Sequence, residues 1–184
     1  MKATALLFVL ASTACHASAS APDRAVQTIG AASVPSARYH TFAFGLAEPP
    51  AAPYALSERS FEVERRLEPF IVAELTKRGY ALSEGNADFL VRFSAGNAKV
   101  PIPQPGETEG NGGPTEYVHV GELVIDAFDG SSRAQVWHGA AEAQINPQKI
   151  NERLLQTAVQ QMLARFPARS DDNDRGGATD RQPR

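Results

Sequence analysis

The sequence predicts an α+β domain in which a four-stranded, mostly antiparallel sheet carries two helices on one face. Three patterns lead there: segments in which apolar residues alternate, two segments with apolar residues at helical spacing, and a hairpin signal at Asp129-Gly130-Ser131-Ser132 between two of the alternating segments. In order along the chain, Arg38 to Phe44 is β-prone and alternates, placing His40, Phe42 and Phe44 on one face and Tyr39 and Thr41 on the other. Pro49, Pro50 and Pro53 then remove donors and fix φ, so a loop must follow. A helix is expected over about 58–78. Ser57 or Ser60 can cap it, acids follow at Glu58, Glu62 and Glu64, and Phe61, Leu67, Phe70, Ile71 and Leu75 form its apolar stripe. Gly79 ends it, and Pro69 inside it predicts a kink or a shortened first half.

Residues 80–83 read as a brief extended link. Ala87 to Ser94 is a stronger strand, with Phe89, Val91 and Phe93 on one face and Leu90 and Arg92 on the other. The stretch 97–115, rich in proline and glycine, reads as a long mobile loop. Glu116 to Asp129 and Ala134 to Ile145 form the arms of the hairpin, turning Leu123, Ile125, Ala127, Trp137 and Ala141 toward the core. Asn146 and Pro147 open a second helix, in which Ile150, Leu154, Ala158, Met162 and Phe166 recur every four residues before Pro167.

The 184 residues suffice for one well-cored domain, placed at 36–167. Residues 168–184 contain no large apolar side chain and read as a disordered tail. The net charge of −3 gives no field to attract a polyanion, so nucleic acid is excluded as a partner. At the other end, Lys2 and the apolar run Ala3 to Leu10 form an export signal over 1–14, too short to span a membrane. The single cysteine, Cys15, follows Ser12-Thr13-Ala14 where a bacterial lipoprotein signal places its lipidated residue. Acylation there would anchor the chain in the outer membrane facing the periplasm, with 15–35 as a disordered tether. Cleavage at Ala17-Ser18-Ala19 would instead release a soluble periplasmic protein.

Little in the sequence points to catalysis. His40, His119 and His138 match no local metal-ligand spacing, no Gly-x-Ser-x-Gly elbow occurs, and neither cofactor nor metal is expected. Asp126 and His138 fall on the solvent side of the hairpin as diagonal neighbours, which suits a surface ion pair and, as a rival reading, a periplasmic hydrolase. The uncovered sheet face is expected to show Tyr39, Thr41, Leu90, Arg92, Val124, Asp126, Val136 and His138, a mixture of aliphatic and charged groups suited to binding another envelope component. A third reading is a small-ligand carrier closed by loop 97–115.

The order of elements, with Tyr39 to Phe44, Glu74 to Tyr80, Ala87 to Phe93, Gly121 to Asp126 and Val136 to Ala140, is similar to the bacterial envelope family called domain of unknown function 4136. The most specific stretches are the Ala-Asp-aliphatic run and the Trp-x-Gly turn. That resemblance implies a lipoprotein and supplies no catalytic set.

Overall fold

The computed structural model describes residues 34–102 and 116–170. Seven elements follow one another: β1 (Thr41–Phe44), α1 (Ser60–Lys77), β2 (Ala81–Leu82), β3 (Phe89–Pro101), β4 (Tyr117–Asp129), β5 (Gln135–Gln144) and α2 (Glu152–Leu163). They build an α+β domain with an open sheet of five strands in the order β2-β1-β3-β4-β5.

The expected four-stranded, mostly antiparallel sheet is therefore corrected to a five-stranded mixed one. The link at 80–83 contributes the fifth strand: Ala81 and Leu82 pair parallel to Thr41 and Phe42. Helix α1 lies between β1 and β2, and such a crossover is what joins neighbouring parallel strands. β1 also runs parallel to β3, with Phe42 opposite Phe89, whereas β3, β4 and β5 are antiparallel.

The start of the expected loop 97–115 is likewise strand. β3 continues to Pro101, pairing Asn97 with Gly121 and Pro101 with Tyr117, so β3 and β4 form one long ribbon. Residues 103–115 lie outside the described residues, as do the signal at 1–14, Cys15 and most of the expected tether.

The core lies between the sheet and both helices. Phe42, Phe89, Val91, Ile125 and Ala127 face Leu67, Ile71 and Leu75 of α1 and Val159, Met162 and Leu163 of α2, all buried. Phe166 stacks on Phe89 at 5.6 Å and meets Trp137 edge-on at 5.4 Å, closing the aromatic centre below the end of α2. Pro69 is accommodated at an exposed position inside α1, which spans 18 residues. Phe61, assigned to the apolar stripe, is 69% exposed, because it sits about 100° around the helix from the centre of the buried set.

Helix α2 begins five residues later than expected. Asn146 instead organises a turn, its side chain accepting from the Gln148 N–H, and Asn151 caps the helix by accepting from the Leu154 N–H at 3.1 Å. Packing also reaches past both expected boundaries. Val34 is buried in the core, and the Arg169 N–H donates to the Arg78 carbonyl.

Candidate functional site

The sheet face opposite the helices can be built row by row from the registers of β3, β4 and β5. Side chains on one face recur every second residue, so Arg92, Asp126 and His138 form one row across three strands. Ser94, Val124 and Ala140 form the next, then Gly96, Glu122 and Glu142, then Ala98, Val120 and Gln144. Leu90 lies beside Phe128 at the opposite end.

Asp126 and His138 are directly opposite rather than diagonal. His138 Nδ1 is 2.6 Å from Asp126 Oδ1, and the Gln135 side-chain amide donates to the same oxygen at 2.6 Å. Arg92 is paired with Glu48, and its guanidinium lies 4.7 Å from the centre of the Phe128 ring. Leu90, Arg92, Val124, Asp126 and His138 are all half-buried on this face, as the alternation implied.

Two expected members are not there. Tyr39, 4% exposed, precedes β1, so strand alternation does not govern it; its ring stacks on Phe89 and its hydroxyl donates to Asp129 Oδ2 at 2.6 Å. Burial and the charge of Asp129 push the Tyr39 phenol well above its ordinary pKa. Val136 is also buried, because the register shifts between Ala127 and Phe128, where Trp137 pairs with Ala127 but Gln135 pairs with Phe128. The extra residue at this bulge breaks the alternation and lets Val136 join the core.

Nor is the face uncovered along its whole length. The segment between β1 and α1 returns across it: Ala55 bridges Asn97 on the edge of β3. Pro50 and Tyr54 lie so close over Gly96 that a Cβ there would meet their Cβ atoms at 2.7 and 2.9 Å. From that position on β3 the Tyr54 hydroxyl reaches Glu142 on β5, donating to Oε1 at 2.5 Å, so its ring spans the intervening strand at Glu122. Glu122 has a buried oxygen, Oε2, without a hydrogen-bond partner, and burial with the charge of Glu142 raises its carboxyl pKa against the opposing effect of His138. Strap and carboxylate pair were both missed in the sequence, where only the prolines marked the segment.

The remaining histidines show no ligand geometry. His40 is exposed, with Nδ1 3.0 Å from the Arg38 carbonyl, and the half-buried His119 has no partner at Nδ1. Among the described residues no group of three or more His, Cys, Asp or Glu side chains could hold a metal ion, and no hydroxyl or thiol hydrogen-bonds His138. No helix among them is long and apolar enough to cross a membrane.

These features define a small α+β module whose second sheet face carries a hydrogen-bonded polar row and an aromatic strap. The family described as Domain of unknown function (DUF4136) matches residues 26–168, and the chain belongs to it. No curated protein matches the sequence.

Among solved structures, a DUF4136 family protein from Bacteroides thetaiotaomicron is 13% identical with a TM-score of 0.46, over 78% of this chain and 96% of that one. The PelC dodecamer from Paraburkholderia phytofirmans is 12% identical with a TM-score of 0.48, over 79% and 99%. A PDZ domain protein from Parabacteroides distasonis is 16% identical with a TM-score of 0.47; the match covers 70% of this chain and only 32% of that one. All three scores are under 0.5, and none bears on function.

Proposed function

We propose that the domain is a non-catalytic cell-envelope lipoprotein module, anchored through Cys15, that binds another envelope component through the part of the second sheet face left clear by the strap. The supporting observation is the patch itself: Leu90 and Val124 lie half-buried beside the Arg92, Asp126 and His138 row, with no helix over them. Apolar groups rimmed by oriented polar ones suit a modest interface. The sequence supports the envelope location through the export signal and the position of Cys15.

Replacing Leu90 and Val124 together by Ser tests the reading. Thermal stability should change little, while crosslinking of the protein to its partner in intact cells should fall. An unchanged crosslinking pattern in a folded double variant would move the binding surface elsewhere. The hydrolase reading has one observation in its favour, the 2.6 Å contact between His138 and Asp126. It predicts turnover of an ester, glycoside or peptide that His138→Ala abolishes. The carrier reading loses the beginning of its lid, since 97–101 belong to β3.

A further inference from the structure

The two edges of the sheet differ in a way that binding through its face does not use. The β2 edge is two residues long, whereas the β5 edge runs for ten, Gln135–Gln144, without a proline or a lysine to guard it. The Ile145 N–H donates to the His119 carbonyl, so the odd-numbered residues of β5 direct their backbone groups to β4. The N–H and C=O groups of His138, Ala140 and Glu142 therefore face outward. Among the described residues none of these outward groups has a hydrogen-bond partner.

We propose that β5 pairs antiparallel with β5 of a second copy of this chain, about a two-fold axis through Ala140. Charge complementarity argues for both the occupant and the register. An axis through His138 would oppose two histidines, and one through Glu142 two carboxylates. With Ala140 at the centre, each His138 faces Glu142 of the partner subunit, twice over.

Each side chain uses one polar atom within the domain and keeps another for that contact. His138 turns Nδ1 toward Asp126 on β4, which leaves Nε2 on the outer side of the ring. Glu142 engages Tyr54 through Oε1, leaving Oε2 for the new contact. The outward groups of His138, Ala140 and Glu142 then complete a ladder of six backbone hydrogen bonds, and the two sheets join into one with both polar faces on the same side.

The test uses the full chain carrying Cys15→Ser, which removes the single native thiol. In sedimentation the protein should be a dimer and Ala140→Pro a monomer. The Ala140 N–H lies outside the β4 ladder, so proline there spares the internal sheet. Ala140→Cys should oxidise to a covalent dimer, since opposed Cα atoms in such a pair lie about 5.5 Å apart. Gln144→Cys should not, because its two copies would sit about 26 Å apart along the strands. A monomeric parent chain, or Gln144→Cys crosslinking as readily as Ala140→Cys, would overturn the proposal. If Ala140→Pro does not fold, the cysteine pair decides.

Discussion

Asp88 lies half-buried where β1 and β3 begin side by side, accepting from the backbone N–H groups of His40 and Thr41 at 2.8 and 2.9 Å and from the Thr41 hydroxyl at 3.0 Å. Burial opposes its charge, but these three donors outweigh burial and lower the carboxyl pKa. This gives the Ala-Asp-aliphatic run a physical basis: the carboxylate fastens β1 to the start of β3. Asp88→Ala should cost about 2–3 kcal/mol in denaturant unfolding, because it strands two strand-end N–H groups. A depressed carboxylate stabilises the fold above its unfolded pKa and loses that contribution as pH falls through the folded value, so the penalty of Asp88→Ala should shrink in acid. Glu122 has the opposite sign. Its folded pKa is raised, so its ionisation on going to neutral pH weakens the fold. Glu122→Gln should accordingly raise the melting temperature at pH 7, with a gain that fades as pH falls below the ordinary glutamate pKa. A gain independent of pH would assign the effect to packing rather than charge. Nothing local in the sequence reveals that Tyr54 lies across Glu122.

At the scale of elements, the antiparallel ribbon was the most legible part, because period-two alternation fixes which residues of β3, β4 and β5 share a face. It failed at 97–101, where proline and glycine content read as loop, and where the period is interrupted or the element is too short to have one. β2 has two residues, Tyr39 precedes its strand, and Val136 occupies a bulge that neither hydropathy nor turn chemistry announces. The Trp-x-Gly pattern, visible as a motif, acquires its reason in β5: a Cβ on Gly139 would stand 2.4 Å from Cη2 at the outer end of the Trp137 ring. Gly139→Ala should therefore displace Trp137 from Phe166 and cost about 1–3 kcal/mol, with a change in tryptophan fluorescence that a mere propensity effect would not produce. Pro69 provides a contrary case. It removes an N–H from the interior of α1 at an exposed position, so Pro69→Ala should stabilise the domain by about 1–3 kcal/mol in the same unfolding assay. Destabilisation by this replacement would mean that the helix depends on its proline for shape.

For the whole molecule, the class of fold, the helix-bearing face and the polar row were legible because they follow from periodicities spread along the chain. The strap was not, because its contacts join Tyr54 to residues 42 and 88 positions away, Gly96 and Glu142, and no pattern within the segment encodes them. The uncovered part of the face is therefore smaller than alternation implied and centres on Val124, between Ser94 and Ala140. Anchoring is a separate matter. Cys15→Ser should shift the protein from membrane to soluble fractions, and a native N-terminus at Cys15 carrying acyl groups should appear in mass spectrometry. The most direct measurement for the binding reading places a photo-crosslinking amino acid at Val124 in living cells, with the exposed Thr157 of α2 as a control. A discrete envelope adduct formed from Val124, absent from Thr157 and lost when Leu90 is replaced by Ser is the predicted result. Equal capture from both positions, or capture from Thr157 alone, would contradict a binding role for this face.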